Sequence, residues 1–195
     1  MAGAGRPGMR RAGPGLVIRT ARLVLTPVSW GDLAELQALK TDPGVYALML
    51  GGVRRVPQVA EELAEDMNLW ATAGTGMFTV REAAQFRGIA GVHTRPDGLG
   101  IGLRFCLWSA ARGRGLAREA AAAALGHAHV AGIARIIAVA RDTNFASRIV
   151  LGSIGMHECG AFERDAHTMM IYESVRQAET GRAAGSAPNC AQGEP

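Results

Sequence analysis

Apolar residues in this chain fall into short runs, and the period of each run predicts an element. Arg22-Leu-Val-Leu-Thr-Pro27 is a β-branched and apolar run stopped by proline, which predicts a strand. Ser29 and Asp32 stand at capping-box spacing, and Leu33, Leu36 and Leu39 continue at near-helical spacing. Pro57 suits the first turn of a second helix, whose Val59, Leu63, Met67 and Trp70 fall on one stripe. The runs 77–82 and 87–93 predict a hairpin, Pro96-Asp97-Gly98 a turn, and 101–107 a third strand. An alanine-rich helix then runs to about Val130 and stops at Gly132. A strand follows at 135–141, then a helix from about Asn144 to Ile154 ended by Gly155. Two last strands are predicted at 159–164 and 167–172.

The order β-α-α-β-β-β-α-β-α-β-β predicts an α/β (α+β) layered protein around one sheet. The strand–helix–strand unit at 101–141 implies a right-handed parallel crossover. Residues 1–15 are Gly, Ala, Pro and Arg, and residues 176–195 show no apolar periodicity, so both are expected to be disordered tails. The folded domain is expected at 16–175, with no repeat and no dividing linker.

Composition narrows the class. In 195 residues, 48% are hydrophobic and 19% charged, enough for one globular core. No apolar run approaches the roughly 20 residues that cross a bilayer. The arginines at the start precede no apolar stretch of the kind a secretory signal needs. The expectation is a cytoplasmic protein with no membrane partner. Cys106, Cys159 and Cys190 are odd in number and lack zinc-type spacing, which predicts free thiols and no metal. Three of the four net positive charges sit in Arg6, Arg10 and Arg11, within an acid-free first 15 residues. A basic tail on a nearly neutral body argues weakly for nucleic acid, and such a partner is not expected.

The chemistry concentrates in Trp108-Ser-Ala-Ala-Arg-Gly-Arg-Gly-Leu-Ala-Arg-Glu119, where a strand hands over to a helix. Glycines there let backbone N–H groups converge, and the helix dipole with Arg112 and Arg114 adds positive charge. A phosphate or pyrophosphate suits that place. Leu116-Ala117 excludes a Walker A loop, and Arg118 leaves the dinucleotide fingerprint incomplete. Arg/Gln-x-x-Gly-x-Gly/Ala is met by Arg112, Gly115 and Ala117.

In its context this motif resembles the central region of the GNAT superfamily N-acetyltransferases, most like the ribosomal-protein-alanine acetyltransferase-like branch. Arg22-Leu-x-Leu-x-Pro27, Asn144-x-x-Ser147 and Ile154-Gly155-Met156 carry the likeness in order, over about residues 21 to 173. The resemblance implies a splayed, mostly antiparallel sheet flanked by helices, with acetyl-CoA as co-substrate between strands 101–107 and 135–141. It implies that backbone groups of Phe105, Cys106 and Leu107 pair with the pantetheine arm. It further implies that Arg112, Gly113, Arg114, Gly115, Leu116 and Ala117 hold the pyrophosphate, and that Asn144 bonds the pantetheine. Asn144 also fits a helix N-cap. Ser147 would lie near the thioester sulfur as the catalytic donor.

Direct attack needs a neutral amine and a polarised thioester, and no covalent nucleophile. The chain departs from the family at the acid–base positions. Gly100 stands where relatives often carry glutamate, and no tyrosine lies on the Asn-x-x-Ser helix. His93 is the replacement base that titrates in the right range. Glu119 reads as a dipole partner, and His127 and His129 as structural. The expected function is acetyl transfer to a primary amine, on a protein N-terminus or a small molecule. A non-catalytic acyl-CoA-binding or regulatory domain is the alternative, and a homodimer stays open. Trp30, Tyr46, Met49 and Trp70 fall on the acceptor side without choosing a substrate.

Overall fold

The computed structural model describes residues 15–176, so the predicted tails lie outside the described residues except for Gly15 and Arg176, and Cys190 lies outside them too. Among the described residues eight strands make one sheet in the order β1-β2-β3-β4-β5-β6-β8-β7. They are β1 (Ile18–Arg19), β2 (Val24–Pro27), β3 (Met77–Glu82), β4 (Gln85–Thr94), β5 (Ile101–Leu107), β6 (Arg135–Arg141), β7 (His157–Arg164) and β8 (His167–Val175). The helices are α1 (Leu33–Thr41), α2 (Pro43–Tyr46), α3 (Val56–Ala73), α4 (Leu116–Val130) and α5 (Phe145–Ser153). This is the mixed, mostly antiparallel architecture expected. β1 and α2 were not foreseen, and β4, β7 and β8 extend past their predicted ends.

Local chemistry sets the boundaries. The backbone amide and hydroxyl of Ser29 both donate to the Asp32 carboxylate, at 2.9 and 2.8 Å, opening the single turn Trp30–Asp32 that leads into α1. Pro57 occupies the first turn of α3, and Gly74 ends it in the left-handed region, its amide donating to the Trp70 carbonyl at 3.1 Å. On one face of the sheet, α4 covers Leu23, Leu25, Phe78 and Val80. Its alanines Ala120, Ala121 and Ala124 are fully buried, so the helix backbone lies close on the strands. On the other face, Leu36 and Leu39 of α1 and Val59 and Leu63 of α3 cover Met77 and Ile89. Burying one such leucine contributes about 2 kcal/mol. No helix among the described residues is long and apolar enough to cross a membrane.

The feature that positions the site is a seam. Among the described strands β5 and β6 are the only parallel neighbours, and they share only the pairs Ile101↔Ile136 and Gly102↔Ile137. β5 stays in register with β4 as far as Leu107, and β6 with β8 as far as Arg141. The strands therefore diverge after Gly102, and each turns an unpaired backbone row towards the gap.

Candidate active site

A cavity of about 880 Å³ occupies the gap and the space beneath α3. Phe105, Asn144, Ser147 and His93 line it together. Arg112 to Ala117, Cys106 and Leu107 do not line it. They continue from the end of β5 into the loop before α4.

That loop turns on two glycines into a helix start. After Leu107 a single helical turn at Ser109–Ala111 leads to Gly113 and Gly115, with φ of 74° and 73°, and α4 starts at Leu116. Both φ values lie in the left-handed region that glycine enters without strain. The Glu119 amide donates to the Gly115 carbonyl at 3.1 Å, the first bond of the helix. The amides before it are the unsatisfied donors of a helix start, where the dipole adds positive potential. Arg22 braces the loop by donating to the Arg114 carbonyl at 2.6 Å and pairing with Glu119 at 2.6 Å. Arg114 is itself paired with Glu82 at 2.5 Å, and Arg112 donates to the Gly44 carbonyl at 3.2 Å. The guanidinium of Arg114 is thus balanced by a protein carboxylate, which leaves the backbone amides and Arg112 as the positive groups of the loop. Glu119 is a brace, held by Thr20 and Arg22, which fits its reading as a non-catalytic carboxylate.

Across the gap, the Asn144 side-chain oxygen accepts from the Ser147 amide at 3.2 Å and caps α5. Its amide nitrogen stays available to a ligand. The Ser147 hydroxyl makes no hydrogen bond among the described residues and faces the cavity.

The acid–base groups differ from expectation in character. His93 donates from Nδ1 to the Thr94 carbonyl at 2.9 Å, so its Nε2 is the acceptor. Burial, then the nearby cation of Arg104, pushes its imidazole down to about 3, and it stays neutral. The Cys106 thiol points to the Val45 carbonyl under α2, and burial pushes it up to about 12, which makes it inert. His127 and His129 bond the Gly74 and Ile133 carbonyls and lie outside the cavity lining. Tyr46 is core, Met49 lines the cavity, and Trp30 is exposed.

A cluster of charge under α3 went unread in the sequence. Lys40, fully buried on α1, pairs with Glu62 at 2.7 Å, and Arg54 pairs with the same carboxylate at 2.5 Å. Burial alone would raise Glu62, but Lys40 and Arg54 outweigh it and hold the carboxyl down to about 2. One turn on, Asp66 also lines the cavity and is 7% exposed. Its signal was present: 59, 63, 66 and 70 continue one helical stripe, and a carboxylate stands where an apolar residue belongs. Lys40, four residues after Leu36, breaks the α1 stripe in the same way.

A family model described as an acetyltransferase (GNAT) domain matches residues 22–157. Among solved structures, the acetyltransferase from Agrobacterium tumefaciens str. C58 superposes with a TM-score of 0.72 at 23% identity, covering 88% of this chain and 100% of that one. The ribosomal L7/L12 alpha-N-protein acetyltransferase RimL, in complex with coenzyme A, gives 0.68 at 16%, covering 82% and 98%. The ribosomal-protein-alanine N-acetyltransferase from Brucella melitensis gives 0.64 at 20%, covering 78% and 99%. At these identities the likeness to the solved structures is one of fold. No curated protein matches the chain.

Proposed function

The chain belongs to the GNAT acetyltransferase family, and from that premise we propose that it transfers the acetyl group of acetyl-CoA to a primary amine by direct attack in a ternary complex. The acceptor is a protein N-terminus or a small-molecule amine, and the domain is residues 16–175. The observation that carries this reading is the seam: two strands paired over two residues, then open along a cavity, with a loop of unsatisfied amides where β5 ends.

The residues present fit acetyl-CoA. The amides of Gly113, Arg114, Gly115, Leu116 and Ala117, with Arg112, would take the pyrophosphate. The unpaired backbone of Phe105, Cys106 and Leu107 would bond the pantetheine as a strand bonds its neighbour. The Asn144 amide nitrogen would bond the same arm. The Ser147 hydroxyl would donate to the sulfur as it leaves. Alignment of amine and thioester supplies much of the acceleration, and strand N–H groups at the gap stabilise the oxyanion. The absence of tyrosine from α5 and the glycine at Gly100 favour a second reading, an acyl-CoA sensor without turnover.

Calorimetric titration of acetyl-CoA into the wild type and Gly113→Asp tests the site. Asp tolerates the left-handed region, and a Cβ at Gly113 meets nothing within 4 Å, so the variant should fold. Its carboxylate faces the anion site, and binding should weaken at least tenfold. A folded wild type that does not bind acetyl-CoA overturns the reading. Release of coenzyme A thiol with a panel of amines then separates enzyme from sensor.

A further inference from the structure

Among the described charges that line the cavity, Asp66 is the one that is buried without a protein partner, whereas Glu65 and Arg141 also stand unpaired but reach solvent. Glu62 has Lys40 and Arg54, and Asp97 has Arg95. Asp66 is 7% exposed and lines the same cavity as Phe105 and Ser147, yet its carboxyl takes no hydrogen bond or ion pair among the described residues. The charges that act on it come from Lys40 on α1, Arg104 on β5, and Glu62 and Glu65 on its own helix, and His93 of β4 shares the cavity. Lys40 is committed to Glu62, and Arg104 also approaches Glu62, at 3.9 Å. Glu62 therefore absorbs the local cations and Asp66 is left over. A buried carboxylate without a partner is costly to hold. At a cavity wall, the partner that removes the cost is a cation brought in by the ligand.

Resting on the reading of the chain as an amine acetyltransferase, we propose that Asp66 is its general base, seating the acceptor's ammonium group and taking its proton. The carboxylate removes one proton from R–NH3+ and leaves R–NH2 with a free lone pair. The nitrogen attacks the thioester carbonyl, forming the C–N bond, and the intermediate expels the thiolate as the C–S bond breaks. The second proton on nitrogen passes to the sulfur, with the Ser147 hydroxyl placed to relay it. The products are the amide, coenzyme A thiol and protonated Asp66, which returns its proton to water. Burial raises Asp66 to about 7, against the opposing pull of Lys40 and Arg104. A base with that value suits an α-amine of about 7.7–8.0 at neutral pH. His93, held near 3, would keep a transferred proton poorly.

The test compares wild type, Asp66→Asn and Asp66→Glu, with tri-alanine and n-butylamine as probes. Asp66→Asn should bind acetyl-CoA with unchanged Kd, while kcat/KM at pH 7 falls about 100-fold or more. The limb of the pH profile that rises near pH 7 should vanish, leaving only the climb from the amine's own deprotonation. Asp66→Glu should restore part of the rate. An Asp66→Asn enzyme with the wild-type rate and profile overturns the role of Asp66 and leaves acetyl transfer standing. A wild type that does not bind acetyl-CoA overturns acetyl transfer itself. A readout without turnover is the infrared difference titration of wild type against Asp66→Asn. A carboxyl band titrating near neutrality and moving to lower pH with either amine supports the assignment. A band that neither amine moves overturns it.

Discussion

Glu62 and Asp66 stand one helical turn apart on α3, yet their carboxyls are displaced in opposite directions, Glu62 down to about 2 and Asp66 up to about 7. The difference is company: burial acts on both, but Lys40 and Arg54 touch only Glu62. A raised acid binds a proton in the folded protein that the unfolded chain has already released. The Asp66 contribution is therefore intact below its ordinary 3.8 and lost as pH rises through about 7. Glu62 works the other way, stabilising above its ordinary 4.5 and losing that as pH falls towards 2. Asp66→Asn should thus gain on wild type as pH climbs from 4 to 8, by up to about 4 kcal/mol. Urea unfolding at each pH measures it, and a constant difference would refute the assignment of the titration. At this scale the glycine loop before α4 was legible, because glycine at left-handed φ and amides at a helix start are local chemistry. Asp66 was not, since its meaning depends on which neighbours fail to reach it.

Single buried charges also tie elements together. Lys40 of α1, Arg54 of the segment before α3 and Glu62 of α3 form a clasp that holds the two helices over the sheet. Glu62→Gln leaves the buried Lys40 ammonium without its counter-charge and should cost about 3–5 kcal/mol. A fall in Tm without loss of folding cooperativity would show it, whereas an unchanged Tm would mean that Lys40 finds another acceptor. Elements with strong punctuation were readable to the residue: β3, β5, β6 and the end of α4 stand where the pattern put them. β1 and α2, of two and four residues, are too short to show a period. β4, β7 and β8 outrun their apolar cores because ladder pairing with neighbours carries polar residues such as Gln85, His157 and Ser174 into strand geometry.

For the molecule as a whole, the seam divides the sheet into halves, β1 to β5 and β6 to β8, joined directly by two residue pairs. A ligand bonded to both lips should stabilise the folded protein by about 2.7 kcal/mol at a concentration 100 times its Kd. Acetyl-CoA should therefore raise Tm, and amide exchange should slow most at 103–107 and 138–141. Slowing confined to the loop at 112–117 would place the ligand outside the gap. The family resemblance implied this opening, but the period of no single element shows it, because it arises where two sound strands stop being neighbours.

An ordinary open sheet has two edges. Among its described strands this one has four: β1 and β7 on the outside, and the facing lips of β5 and β6 within. Exposed edges invite other chains to add to them, with aggregation as the usual hazard. The inner pair escapes that hazard by geometry, since the lips converge to pairing distance at Ile101 and Ile136 and a foreign sheet cannot lie along either. The opening between them suits a single thin chain of alternating donors and acceptors. A wedge of this shape would screen a guest by cross-section before any side chain is consulted.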